Sequence, residues 1–392
     1  MQPVVVPQGG RKIVLLISSM NAGGAERVAA ALANSWVALG NEVTIVPCFS
    51  QGSGQSFYTL DERVNLHWLV EDLPRSKVLS RLLKPVVLRR KLKAWRPDVV
   101  VSFLTNVNVT ALLATYGLKI PVIVCERTNP LSESHLPLSL SKLRKLLYPR
   151  AAAVMMQTEA AARDYAAYRP NLKYIPAIAN PISAELVEEL QALATQAVEI
   201  KRDADSAAPK VLLSMGRLVE LKQFSLLIDC FAAVAEEFPD WQLHIYGSGP
   251  LAEQLTAQIE SLSLSEQIFL KGATKAPWQA MRQADAFAMS SKREGFPNVL
   301  LEAMANGLPA IAMDCPYGPA ELSRHGEVAL LVETRAAFID GLRKLLGDET
   351  LREQLAVQGQ EHVLQNYSQE KVLADWEQLF QNLKIETGVN AN

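Results

Sequence analysis

The stretch SSKREGFPNVLLEAM (290–304) holds two carboxylates eight positions apart, Glu294 and Glu302. Pro297 is placed to open a helix between them, leaving Glu294 in the preceding loop and Glu302 about two turns further on. In that setting Glu294 could accept hydrogen bonds from sugar hydroxyls, and Glu302 could reach a ribose diol. The first amides of the helix, near Asn298, Val299 and Leu300, could receive a phosphate. A helix with a favourable N-terminal acid and a solvent-facing glutamate would show the same spacing. The longer string EGFPNVLLEAMANGLP around the pair is far less common.

Three further clusters suit phosphate. Gly216-Arg217-Leu218, followed by Lys222, offers a forked and a compact cation beside a helix start, the chemistry a diphosphate needs. A solvated charged face is the plainer alternative. Gly247-Ser248-Gly249-Pro250 combines glycines that allow a close backbone approach with a proline suited to a first helical turn. Asn21-Ala22-Gly23-Gly24-Ala25-Glu26 puts Gly23 and Gly24 where amides and a helix N-terminus could meet an anion. It is neither a GxGxxG nor a Walker loop, which argues against dehydrogenase and ATPase chemistry. Taken alone, an ordinary tight turn would look the same.

All four clusters need rigid elements beneath them, and the chain supplies these by strict alternation. Short β-branched runs at Lys12–Ser18, Glu42–Cys48, Asp98–Phe103, Val122–Cys125 and Ala152–Met156 predict strands in the front half. Amphipathic stretches at Ala25–Leu39, Ser76–Trp95 and Val107–Tyr116 predict helices between them. In the rear half, Lys210–Met215, Gln242–Tyr246, Ile268–Lys271, Ala286–Met289 and Ala310–Met313 alternate with helices at Gln223–Phe238, Pro250–Ser261 and Asn298–Asn306. Beyond Leu331 the pattern is helical, over Ala336–Leu346, Glu349–Asn366 and Ser368–Leu383. Strand and helix in turn imply parallel sheets covered on both faces, because a parallel connection needs a crossover. The expected fold is therefore α/β, with two Rossmann-like doubly wound domains facing across a ligand cleft and a helical C-terminal tail. The boundaries expected are 11–181 for the first domain, 182–209 for a linker with a helix and 210–366 for the second. A last helix over 367–385 is expected to return to the N-terminal domain.

The bulk figures narrow the function classes. The chain's 392 residues are 49% hydrophobic and 20% charged, ordinary for a globular protein of two domains. The net charge of −2 hides a division: residues 1–180 carry +11 and the remainder −13. Such a split suggests that the front half faces an anionic partner. Cys48, Cys125, Cys230 and Cys315 form no CxxC pair and lie beside apolar residues, as plain buried thiols do. The five histidines show no ligand spacing, so no metal site is expected. No apolar run is long enough to span a bilayer, and Met1–Gly10 lacks a signal-peptide pattern, so a cytoplasmic protein is expected.

The basic excess concentrates in Arg75–Arg96, with nine cations, no acid and interleaved leucines ending at Trp95. Such a segment, including Arg81, Lys84, Arg89, Arg90, Lys91 and Lys93, can lie on an anionic membrane surface, with Pro85 kinking or dividing it. Lys142–Tyr148 repeats the pattern on a smaller scale. The competing reading packs the leucines into the core under a solvated basic face. No nucleic-acid module is present, and nucleic acid is not expected as a partner.

The string EGFPNVLLEAMANGLP resembles the E-x7-E region of the retaining glycosyltransferases of family four, which have the GT-B fold. GGAE, GRL with its following Lys, GSGP, Glu126-Arg127-Thr128-Asn129-Pro130 and DCPYGPAE (314–321) resemble that family's other landmarks in the same order, over about residues 12–380. The resemblance implies that the first domain is the acceptor side and that the second binds the nucleotide sugar. Donor-side contacts are implied from Gly216, Gly247, Gly249, Pro297, Asn298, Val299 and Leu300, and a diphosphate or acceptor contact from Gly23 and Gly24. It implies that Arg217 and Lys222 neutralise the diphosphate leaving group, that Glu294 holds the donor sugar and that Glu302 holds the ribose. No metal or other cofactor is implied besides the nucleotide sugar as co-substrate. Many relatives carry His where this chain has Arg127, so a histidine's role does not transfer; Glu126, Arg127 and Asn129 are assigned to the acceptor side, with Arg127 on a phosphate or a sugar. Gln223 stands where glycine is usual, and His325–Leu330 lacks the usual Asn-Gly. The activity implied is transfer of a hexose or N-acetylhexosamine from a UDP-sugar to a polyprenyl-diphosphate-linked glycan at the inner face of the cell membrane. A sugar-nucleotide epimerase of the same fold, a transferase with a soluble acceptor and an inactive partner protein are the alternatives.

Overall fold

A computed structural model describes residues 10–50, 54–128, 131, 137–195 and 208–385. They form two compact units, Met1–Pro181 with Glu370–Asn392, and Ile182–Gln369.

In the first unit the chain runs β1 (Lys12–Ile17), α1 (Gly24–Ala38), β2 (Glu42–Pro47), β3 (Asn65–Leu66), α2 (Lys77–Trp95), β4 (Val99–Phe103), α3 (Thr105–Ala114), β5 (Val122–Cys125), α4 (Leu138–Leu147), β6 (Ala153–Met155) and α5 (Glu159–Tyr168). All neighbours in the sheet are parallel, in the order β3-β2-β1-β4-β5-β6. The strands are buried on both faces, which is why KIVLLI and VVVSF read as continuous apolar runs rather than as alternations.

The second unit runs α6 (Ala184–Thr195), β7 (Lys210–Met215), α7 (Phe224–Ala232), β8 (Trp241–Tyr246), α8 (Ala252–Ser261), β9 (Ile268–Gly272), α9 (Pro277–Arg282), β10 (Ala286–Met289), α10 (Asn298–Ala305), β11 (Ala310–Met313), α11 (Pro319–Leu322), β12 (Leu330–Val332), α12 (Arg335–Gly347) and α13 (Glu349–Asn366). Its sheet is again parallel, ordered β12-β11-β10-β7-β8-β9. The last helix, α14 (Gln369–Asn382), packs in the first unit, where Trp376 meets Trp36 edge-on at 5.4 Å within the main core. Two doubly wound α/β sheets are the fold class that the alternation predicts.

Three elements differ from the sequence-based expectations. Strands β3 and β12 have only two and three residues, too few for a period to show. Helix α7 stops at Ala232 rather than Phe238, and a series of turns follows before Trp241. Helix α2 is continuous from Lys77 to Trp95 with Pro85 inside it, not divided. Of the expected linker 182–209, residues 184–195 form α6, while 196–207 lie outside the described residues.

Candidate active site

Each sheet changes direction once, and such switch points open a crevice beyond the strands' carboxyl ends. In the second unit the switch lies between β7 and β10, since the chain winds outward through β8 and β9 on one side and through β11 and β12 on the other. The loop after β7 carries Arg217 and Lys222, and the loop after β10 carries Glu294. Lys222 Nζ donates to Glu294 Oε1 at 2.6 Å, both partly buried, so two residues 72 positions apart meet at the crevice. Arg217 is exposed, with no ion pair among the described residues.

Neighbouring loops fix this pair. Ser290 Oγ donates to the Lys222 carbonyl at 2.9 Å, and the Lys292 amide donates to the Leu221 carbonyl at 2.9 Å. On the other side the Glu294 amide donates to the Pro316 carbonyl, and the Tyr317 amide donates back to the Glu294 carbonyl, each at 3.1 Å. Gly318 adopts φ 105°, and a Cβ there would stand 2.4 Å from Pro297 Cδ, so only glycine fits beside the start of α10. The Lys222 stem lies along Gly216. The Gln223 backbone is left-handed at φ 50°, which explains why a glycine would suit that position. Buried Cys315 sits near Glu294 and Asp314; burial, then these two acids, push its thiol up to about 12, so it stays neutral.

Three expectations for this unit need correction. Gly247 and Gly249 allow a close approach, but to protein: a Cβ would stand 1.8 Å from the Gly216 carbonyl oxygen and 2.4 Å from that of Leu218, respectively. They zip the loop after β8 onto the loop after β7, through Leu218 N–H to the Ser248 carbonyl at 2.9 Å. At the start of α10, the Asn298 and Leu300 amides already bond to the Phe296 and Pro297 carbonyls, at 3.0 Å each; the Val299 amide bonds to no described residue. Pro297 is the cap preceding the helix rather than its first residue. The solvent-facing alternative for Glu302 falls as well, since that side chain on α10 is only 5% exposed.

In the first unit the switch lies between β1 and β4, bridged by hydrogen bonding between Ser18 and Asn106. Here the free-amide expectation for Gly23 fails. Its amide donates to Tyr58 Oη at 3.1 Å, and Tyr58 Oη donates to the Gly23 carbonyl at 2.9 Å. Glu26, held by Ser19 Oγ at 2.9 Å, brings its carboxylate against Gly23, so the start of α1 already faces a negative group; Gly24 is the first residue of that helix. Glu126, after β5, is not open to an acceptor. It is 2% exposed and accepts hydrogen bonds from Thr105 Oγ1 at 2.9 Å and from Tyr148 Oη. Burial, then the neighbouring Glu126 charge, keep the Tyr148 phenol well above its ordinary pKa. Arg127 is buried with its guanidinium stacked 4.1 Å over the Phe103 ring. Asn129 lies outside the described residues. Tyr58, Thr105, Tyr148 and Phe103 do not stand out in the sequence, because each is remote in the chain from the residue it serves and sits in no motif.

The side chains of the basic helix α2 fall into two groups. Val78, Leu79, Leu82, Leu83 and Val86 are exposed, Leu82 by 68%, whereas Leu88 and Leu92 are fully buried. Arg81, Arg90 and Lys93 are exposed. Three other expected membrane cations serve the fold instead. Lys84 is 7% exposed with its ammonium 3.4 Å over the Phe49 ring, and burial lowers its pKa. Arg89 donates to the Ala114 and Tyr116 carbonyls, and Lys91 pairs with Asp72 at 2.8 Å. On α4, Leu138 and Leu146 are exposed as well. Among the described residues no helix is long and apolar enough to cross a membrane, and no group of three His, Cys, Asp or Glu side chains could hold a metal.

Two switch-point sheets, with a lysine–glutamate pair at the second, define a doubly wound α/β protein with ligand crevices at its strand ends, and comparison with known proteins narrows the class. Residues 23–177 match the model of the glycosyl transferase 4-like domain, and residues 198–362 match that of glycosyl transferases group 1. The amylovoran biosynthesis glycosyltransferase AmsD of Erwinia amylovora is 29% identical over 93% of this chain and 98% of its own. An N-acetylgalactosamine-N,N'-diacetylbacillosaminyl-diphospho-undecaprenol 4-alpha-N-acetylgalactosaminyltransferase of Campylobacter jejuni is 29% identical over 87% of this chain and 92% of its own. Among solved structures, the pneumococcal O-GlcNAc transferase GtfA in complex with UDP and GlcNAc aligns over 96% of this chain and all of its own, with TM-score 0.75 and 13% identity. Anabaena HepE in complex with UDP aligns over 95% and 99%, with TM-score 0.73 and 19% identity. The chain belongs to the family-four glycosyltransferases of GT-B fold, and it is a glycosyltransferase.

Proposed function

We propose that this enzyme transfers a hexose or N-acetylhexosamine, with retention of anomeric configuration, from a UDP-sugar to a polyprenyl-diphosphate-linked glycan. The observation that carries this reading is the Lys222–Glu294 pair at the switch point, with exposed Arg217 on the same loop as Lys222. As a diphosphate arrives, Lys222 can turn from the carboxylate to the phosphate oxygens, which frees Glu294 to accept hydrogen bonds from the sugar. Arg217 grips the diphosphate as a fork, and the two cations stabilise the charge that grows on the leaving group. Each such group is worth roughly 3–4 kcal/mol in comparable sites. Glu302 reaches the ribose, the Val299 amide is the donor-side contact at α10, and neutralisation falls to side chains rather than to a metal ion.

The acceptor class is supported by the Campylobacter relative, whose name specifies a diphospho-undecaprenol acceptor. It is also supported by α2, whose exposed leucines and cations Arg81, Arg90 and Lys93 suit an anionic lipid surface. The enzyme then works peripherally on the cytoplasmic face of the cell membrane. A panel of UDP-, GDP- and ADP-sugars tested for thermal stabilisation identifies the donor, and NMR of the product's anomeric proton tests retention. Release of an epimerised sugar nucleotide without acceptor would reverse the ranking in favour of the epimerase. Activity that disappears with chelator and returns with a divalent ion would remove the metal-free assignment.

A further inference from the structure

Two of the protein's buried arginines, Arg11 and Arg352, show how an enclosed guanidinium can be satisfied within the fold. Arg11, 5% exposed, forks onto Glu377 at 2.7 and 2.8 Å and donates to the Ile385 carbonyl at 2.9 Å. Arg352, 9% exposed, donates from Nη1 to the Leu345 and Leu346 carbonyls at 2.9 and 2.8 Å. Arg127 is equally buried, yet none of its N–H groups has a hydrogen-bond partner among the described residues, and Nη2 is wholly enclosed. Nor does it have an acid partner among the described residues. The adjacent Glu126 is committed to Thr105 and Tyr148. Burial alone brings the guanidinium pKa down to about 10, so it remains charged at neutral pH. An enclosed, unpaired charge costs several kcal/mol, and a fold keeps one where something else supplies the counter-charge.

The surroundings indicate what that is. Arg127 lies two residues beyond Cys125 in β5, and Gln157 lies two residues beyond Met155, the register partner of Cys125 in β6. Gln157 is 5% exposed, with Nε2 bonded to Asn180 and Oε1 without a partner. One edge of the sheet thus holds an unused cationic donor and an unused neutral acceptor. A phosphate carries the anionic oxygens the first lacks, and a hydroxyl on the same molecule carries the donor the second lacks.

We propose that Arg127 anchors a phosphate-binding site at the carboxyl edge of the N-terminal sheet, taking one phosphate of a diphosphate-linked substrate, with Gln157 accepting from an adjacent hydroxyl. The assignment rests on the transferase reading for the ligand's class only. The phosphate can come from the donor nucleotide or from the acceptor's lipid diphosphate.

The test is calorimetric titration of the whole protein with inorganic pyrophosphate, farnesyl diphosphate and UDP, in wild type, Arg127→Met and Arg127→Lys. Pyrophosphate is titrated in an Arg217→Ala, Lys222→Ala background, which silences the diphosphate site of the second unit; there Arg127→Met is expected to weaken binding at least tenfold, and Arg127→Lys is expected to recover part of that loss. A parallel loss for farnesyl diphosphate but not UDP assigns the site to the acceptor; a loss for UDP but not farnesyl diphosphate assigns it to the donor. Melting temperature separates site from scaffold. Methionine on Phe103 removes an unpaired charge, so Arg127→Met should melt at or above the wild-type temperature. A fall of several degrees, undiminished affinity for all three probes in both variants, or no binding by wild type would each overturn the proposal. No transfer is measured, so failure here is distinct from failure of the proposed activity.

Discussion

The two sheet edges hold their cations in opposite ways. In the second unit Lys222 rests against Glu294, its own counter-ion, and hydrogen bonds from the loops after β10 and β11 clamp both. In the first unit Arg127 is more deeply enclosed and has a ring but, among the described residues, no carboxylate partner. A paired charge tolerates burial because Coulomb attraction offsets desolvation, whereas an unpaired one lowers the stability of the empty protein. One edge is electrically complete before any ligand arrives; the other is not. The lesson is that a carboxylate beside a cation need not compete with function, since an exchangeable partner can hold the cation in place.

The comparison breaks most visibly in turnover. Lys222→Ala and Glu294→Ala are each expected to lower kcat about 10²–10³-fold with the fold intact, and the double variant should fall little below the worse single one, because the residues act as a unit. Multiplying losses in a steady-state cycle would show that the pair is not coupled. Arg217→Ala, without a carboxylate partner, should cost about 10²-fold in kcat; a normal rate would exclude its contact with the leaving group. Serine in place of Leu79, Leu82 and Leu83 carries the comparison to the surface. Those side chains contribute little to the core, so the melting temperature should hold while recovery with anionic liposomes in flotation falls several-fold; equal recovery of wild type with neutral and anionic lipids would remove the membrane assignment. Smallest is Gly249→Ala, which forces a Cβ against the Leu218 carbonyl and should destabilise by about 1–3 kcal/mol in denaturant titration.

Much of the architecture is legible in the order of the residues. Val122–Cys125, Lys210–Met215, Ala286–Met289, Ala310–Met313 and Glu349–Asn366 fold with the bounds that their composition predicts, because buried parallel strands and capped helices write their ends into residue types. The chemistry of Lys222 and Glu294 is legible as residue types at strand ends, but their direct contact is not: it depends on β7 and β10 being neighbours, which no local pattern states. Backbone accounting is the weakest link. Gly23, Gly247 and Gly249 have the signature of anion loops, yet their room is taken by Tyr58, Glu26 and a neighbouring loop. The basic helix misleads for a related reason, since Lys84, Arg89 and Lys91 differ from Arg81, Arg90 and Lys93 in the partners that distant parts of the chain place beside them.

One consequence concerns how the protein is made. Helix α14 supplies Val372, Trp376, Leu379 and Phe380 to the same core as Trp36, although the whole of Ile182–Gln369 is translated in between. Each of those buried side chains is worth roughly 1.5–3 kcal/mol, together comparable to the total stability of an ordinary domain. A nascent chain halted before Gln369 therefore displays an incomplete apolar face around Trp36, a target for chaperones throughout synthesis of the second unit. Termination at that point should yield insoluble protein, whereas supplying α14 as a separate peptide should restore solubility.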